Sequence, residues 1–203
     1  QAANVLSHLE YYLQVVWPDL NVNVVSTTEQ WAGAALAGPK SREVLSKLFP
    51  ELDVSNEGLP FMGYLEGKLF GVSARIFRIS FSGELAYEIN VPSDYGMFMW
   101  EKLIEIGEEF NMQPYGTEAL STLRIEMGHV AGPELDGRTI PYDVSLEGLV
   151  SKKKDFIGKR SLVKEAFKKE DRQKIVGLVP LDRKSSIPEG SHLVEDSKAK
   201  LPN

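Results

Sequence analysis

Cysteine is absent from the 203 residues, which excludes disulfides, a thiolate nucleophile and any zinc or iron–sulfur centre held by sulfur. A reducing, cytoplasmic setting fits that absence. Histidine is scarce: His8, His129 and His192 are scattered, with no pair at metal-ligand or triad spacing. Long apolar runs are missing, none approaching the roughly 18 residues of a membrane-spanning helix. The first residues also lack a basic stretch followed by an apolar one. With a net charge of −6, the chain lacks the concentrated positive field that phosphate binding needs, so neither nucleic acid nor membrane is expected as a partner. The basic cluster Lys152, Lys153, Lys154, Lys159 and Arg160 reads as a solvated face. No G-x-G-x-x-G follows a strand, and no serine sits in a nucleophile elbow. Gly63 to Lys68 is one residue short of a P-loop and runs on into Leu69. Hydrolases, P-loop enzymes and metalloenzymes are thereby disfavoured.

What is present is an ordinary globular composition, 42% hydrophobic and 26% charged, long enough for one large domain or two smaller ones. The most informative stretch is Arg75 to Val91. Phe77, Ile79 and Phe81 alternate with Arg78 and Ser80. Tyr87, Ile89 and Val91 alternate with Ala86, Glu88 and Asn90, and Ser82-Gly83-Glu84 supplies a turn, so the segment predicts a hairpin with one core face and one polar face. Glu88 on the polar face is an acceptor-only carboxylate, and Phe81 at the mouth of the turn is a flat apolar plate. A pterin or similar heterocycle offers a ring N–H beside an amino group, and one carboxylate accepts both. The alternative is a surface ion pair between Glu88 and Arg78 across the hairpin.

Elsewhere, Val5, Leu9, Tyr12, Leu13 and Val16 predict an amphipathic helix that ends before Pro18. The chain opens on Gln1 within that pattern, which is expected of a piece of a longer polypeptide. Asn21 to Thr27 and Trp31 to Ala37 read as strands. Val44, Leu45 and Leu48 line a short helix, and Glu51 to Gly71 reads as loops around a short strand or hairpin. Met97 to Ile106 forms a helix closed by Gly107 and Asn111. A further helix runs from Thr117 to Gly128, with Leu120, Leu123 and Met127 as its stripe. Arg124 falls at the edge of that stripe, where it requires an anion or carbonyl oxygens, unless its stem covers apolar surface and its head reaches water, Glu126 or Asp143. Ala131 to Val150 is long and irregular, the kind of segment that lines sites. Asp155 to Lys168 reads as opening a helix, and Lys174 to Leu181 as a strand.

Several segments together resemble the aminomethyltransferase (glycine-cleavage T-protein) superfamily and, within it, the carboxy-terminal part of sarcosine oxidase alpha subunits. They are Trp31 to Pro39, the stretch from Phe81 to Glu88, Thr122 to Gly128, Gly137 to Pro141 and Lys153 to Lys159, in the family's order. The resemblance implies an α+β fold: an aminomethyltransferase-like folate-binding domain over 1–170, its amino-terminal part missing, and the incomplete start of a smaller β-rich domain over 171–203. It implies tetrahydrofolate in a central cavity, with the one-carbon unit of oxidised sarcosine transferred to it to give methylenetetrahydrofolate and glycine. Flavin and NAD are expected only in the parent complex, outside this chain. Folate, a small amine substrate and other sarcosine oxidase subunits are the expected partners.

By resemblance, Glu88 orients the pterin, Phe81 replaces a family tyrosine beside the ring, Arg124 matches a helical arginine of the folate site, and Tyr142 lines the entrance. No catalytic residue is assigned. The acidic residue that the family places at the reacting nitrogens corresponds to a region upstream of Gln1, so the chain by itself is expected to be inactive. Glycine-cleavage aminomethyltransferases and dimethylglycine dehydrogenases are the alternative branches. A noncatalytic folate module of the iron–sulfur assembly type carries a Lys-Gly-Cys-Tyr segment, where this chain has Lys154-Asp155-Phe156-Ile157-Gly158-Lys159 without cysteine. A structural subunit that has lost its ligand is a further alternative.

Overall fold

A computed structural model describes residues 1–188 and 190–194. The chain divides into two compact units, Gln1–His129 and the segment from Val130 onward. The architecture is α+β, built on a four-stranded antiparallel sheet in the order β1-β4-β3-β2. The expected β-rich start over 171–203 falls partly outside the described residues.

The first unit opens with α1 (Ala2–Tyr11), continued by a π turn over Tyr12–Val16. No residue of α1 is buried. Asn21 to Thr27 alternates like a strand but pairs with nothing among the described residues, and an alternating run without a ladder does not hold strand conformation. The sheet begins at β1 (Trp31–Ala37), followed by α2 (Ser41–Leu48), whose Val44, Leu45 and Leu48 are all buried, as their helical spacing requires.

β2 (Tyr64–Leu69) and β3 (Val72–Phe77) form a hairpin closed by Phe70 and Gly71, at φ 48° and 93°. Two successive positive φ values match the right-handed twist of the flanking strands. β4 (Ala86–Pro92) pairs with β1 on one side and β3 on the other. α3 (Gly96–Gly107) and α4 (Thr117–Glu126) complete the unit.

The hairpin expected through Phe81 exists, but in a different form. The β3–β4 ladder ends at Phe77 opposite Glu88, and residues 78–85 form a long loop. The cause lies in Arg78, whose N–H donates to Gly63 O at 3.0 Å and whose carbonyl accepts from Met62 N–H at 2.9 Å. The chain therefore stays paired toward β2 while leaving β4. The inward set of β3 is correspondingly Ala74 and Ile76; Phe77 points to the opposite face, not the core face that its alternation with Ile79 and Phe81 predicts. Ile76 sits across from Ile89, and together with Leu36, Leu69, Tyr87, Val91, Met99 and Leu103 they form a core between one sheet face and helices α2 and α3.

The second unit consists of short 3-10 turns and α5 (Glu165–Lys168). Its anchor is Asp143, which accepts Nε of Arg172 at 2.9 Å, Nη2 of the same arginine, and the Ile140 N–H at 3.0 Å. The Asp143 carbonyl accepts from Ile175 N–H at 2.8 Å. The segment Lys174 to Leu181, expected as a strand, has no ladder among the described residues.

Candidate functional site

Period-2 alternation places Glu88 and Asn90 on the sheet face opposite the core. Register then fixes their neighbours. Glu88 lies between Ala35 of β1 and Phe77 of β3, and Phe77 is in turn opposite Tyr64 of β2. The next row runs Gly33, Asn90, Arg75 and Glu66. The Phe77 and Tyr64 rings pack with centroids 4.9 Å apart, and the Arg75 guanidinium lies 3.8 Å from the Trp31 ring centroid. This face thus carries an aromatic wall on each side of two polar side chains.

Glu88 is half-buried, and its side chain forms no hydrogen bond or ion pair among the described residues. The ion pair with Arg78 does not form: Arg78 Nη1 donates to Leu59 O at 2.9 Å. Asn90 is likewise half-buried and unpaired. Both side-chain oxygens lean over Gly33. A Cβ built there would lie 2.9 Å from Asn90 Oδ1 and 3.8 Å from Glu88 Oε1.

Phe81 stands away from the ladder in the loop, 40% exposed, with its ring edge against His129 at 4.7 Å. Arg124 on α4 is buried, and its Nη1 donates to the His129 carbonyl at 3.2 Å. Phe81 and Arg124 therefore share His129. The loop is held against α4 at Gly83 (φ 84°), where a side chain would collide with Met127 at 2.6 Å. Its far end is tied by Leu85 O, which accepts Gly38 N–H at 2.9 Å and Ser41 Oγ at 2.8 Å.

Tyr142 belongs to the second unit, on the 3-10 turn Pro141–Val144, and is exposed. That unit has its own polar cavity of about 530 Å³, which includes Asp136, Arg138, Asp143 and Arg172. The hydrogen bond from Arg172 holds the Asp143 carboxyl below its ordinary value of 3.8. The hydrogen bond from the Arg138 side chain lowers Asp136 to about 2.

The first unit has an apolar cavity of about 640 Å³ along β1 and the stretch Phe110 to Thr117, walled by Trp100, Leu103 and Ile104. Glu88 lines neither cavity, but its ladder partner Ala35 and the Gly33 beneath its carboxylate both line the larger one. Sequence reasoning missed Phe77 and Asn90 as neighbours of Glu88 and Trp31 as the platform for Arg75. The even spacing of Glu88 and Asn90 was the available signal for the second of these.

A family model described as the GCVT N-terminal domain matches residues 1–154. The chain is 48% identical over 197 residues to a sarcosine oxidase subunit alpha of Corynebacterium sp. (strain P-1), covering 96% of this chain and 20% of that protein. It is 46% identical over 201 residues to a sarcosine oxidase subunit alpha of Rhizobium meliloti (strain 1021), covering 98% and 20%. Identity to an aminomethyltransferase of Thermoanaerobacter sp. (strain X514) is 33% over 185 residues, covering 89% of this chain and 48% of the relative. The chain spans about a fifth of the length of the sarcosine oxidase relatives.

Proposed function

Because this chain belongs to the family of GCVT N-terminal domains, we propose that it is the tetrahydrofolate-binding portion of a sarcosine oxidase alpha subunit. There the one-carbon unit of oxidised sarcosine passes to tetrahydrofolate, giving methylenetetrahydrofolate and glycine. The sarcosine oxidase branch is favoured over the aminomethyltransferase branch by identities of 46–48% against 33%.

The observation that carries the reading is Glu88: a carboxylate held half out of water, facing away from the core, with no partner of its own. Both oxygens of such a group remain free to accept two N–H donors from one ligand edge. The residues fit a pterin. Its 2-amino group and ring N–H present two adjacent donors, and Phe77 beside Glu88 supplies apolar surface for its face. Phe81 and Arg124, which share His129, are assigned to the folate site by the family resemblance. The folate supplies the nucleophilic nitrogens for the transfer.

This chain's residues bind and orient. By holding the pterin edge, Glu88 fixes where the reacting nitrogens stand, which lowers the entropic cost of their encounter with the one-carbon donor. Enclosure against water, the small amine substrate and the flavin and NAD chemistry are assigned to the remainder of the parent protein and its partner subunits.

Titration of the full-length protein with 5-formyltetrahydrofolate tests the assignment. Glu88→Gln, which keeps the shape and replaces one acceptor by a donor, is expected to weaken binding by about tenfold or more. Equal affinity in both proteins overturns the role given to Glu88.

A further inference from the structure

We propose that Asn90 is a second recognition group for the pterin edge, donating to its 4-oxo oxygen, and that Gly33 keeps open the space in which it does so. The inference rests on the folate reading of Glu88 and extends it to residues that reading does not use.

Glu88 and Asn90 are two residues apart on one strand, so their side chains leave the same face about 7 Å apart. Their head groups converge over Gly33, directly opposite Asn90 in the ladder. Any side chain at position 33 starts with a Cβ 2.9 Å from Asn90 Oδ1, closer than such atoms approach without one moving. A glycine is therefore what lets the amide lie down beside the carboxylate. The Gly33 backbone belongs to an ordinary strand and needs no special conformation there; what the residue provides is room. The side chain of Asn90, like that of Glu88, forms no hydrogen bond or ion pair among the described residues.

The order of groups along a pterin edge is amino N–H, ring N–H, then carbonyl oxygen. A carboxylate satisfies the first two, and the third is an acceptor that needs a donor. The amide nitrogen of asparagine is such a donor, whereas an aspartate in its place would oppose oxygen to oxygen. Arg75 pairs with Asn90 across the ladder, and its guanidinium reaches over to Trp31 of the strand that carries Gly33, adding a positive charge on this face that favours an acceptor in the ligand. Its guanidinium is held on the Trp31 ring, so the direct hydrogen bond falls to Asn90.

The test is titration of the full-length protein and its variants with 5-formyltetrahydrofolate, with folding checked by circular dichroism and thermal unfolding. Asn90→Ala is expected to weaken binding about tenfold, the worth of one well-placed hydrogen bond. Asn90→Asp, which preserves shape but removes the donor, is expected to weaken it at least as much. Gly33→Ala is expected to weaken binding while leaving the fold intact, because it displaces the Asn90 amide. If Glu88→Gln weakens binding while Asn90→Asp binds like the unaltered protein, the role of Asn90 is wrong and the reading of Glu88 stands. If the unaltered protein binds no folate, both fall together.

Discussion

The two units of this protein are held by different physics. The first buries one face of a sheet against two helices, with Leu45, Phe49, Leu59, Ile76, Tyr87, Ile89 and Val91 all at 0% exposure. The second has few buried side chains among the described residues and is organised around hydrogen bonds to Asp143. An apolar core tolerates a free polar face on the other side of the same strands, because core packing fixes the backbone whatever the outward side chains do. A unit held by polar contacts has less such freedom, since its charged groups are already committed to each other. This is the difference between Glu88, unpartnered and available, and Asp143, fully engaged.

Substitutions can break that contrast, and their effects should rank in order. Ile89→Ala removes a fully buried side chain opposite Ile76 and is expected to cost about 2–5 kcal/mol. Denaturant unfolding measures it, and a cost below about 1 kcal/mol would mean that the sheet face is not the core of the unit.

Asp143→Asn is expected to loosen the second unit locally, with several-fold faster hydrogen exchange at the Ile140 and Ile175 amides and little change at the Ile76 and Ile89 amides. Its pH dependence follows from the lowered carboxyl. Because the folded-state value lies below the ordinary 3.8, the stabilisation is present above that pH and is lost as pH falls through the folded-state value. Asp143→Asn should abolish this acid sensitivity, and persistence of the full acid response in the variant would assign it to other carboxylates.

Glu88→Gln breaks no side-chain interaction among the described residues and is expected to change stability by about 0.5 kcal/mol or less while reducing folate affinity. Stability loss on the scale of Ile89→Ala would mean that Glu88 is structural. Smallest of all, Arg138→Ala removes an arginine whose side chain is 92% exposed beside Asp136, and no measurable change in thermal unfolding is expected from so solvated a pair.

Much of this was legible from local pattern. Helix α2 follows from the spacing of Val44, Leu45 and Leu48, and α3 and α4 fall within two residues of their expected ends. The inward set of β4 follows from strict alternation, and Glu88 was recognised as an outward carboxylate for the same reason. The failures share a cause. Asn21 to Thr27 and Lys174 to Leu181 have strand-like composition but no neighbour to pair with among the described residues, and local sequence carries no information about a partner. Phe77 was assigned to the core because Ile79 and Phe81 continue its alternation, yet the strand stops at Phe77 once Arg78 bonds to Gly63.

By itself, the sequence determined which segments become helices, which face of β4 is buried and which carboxylate stands on the other, because these depend on periodicity within a few turns or residues. Only the tertiary structure decided that Phe77 and not Phe81 sits opposite Glu88, that Asn90 and Glu88 converge over Gly33, and that Phe81 and Arg124 meet at His129. Those placements depend on where β3 parts from β4 and on which strand lies alongside, and they are set by long-range backbone hydrogen bonds and packing that no single stretch of residues encodes.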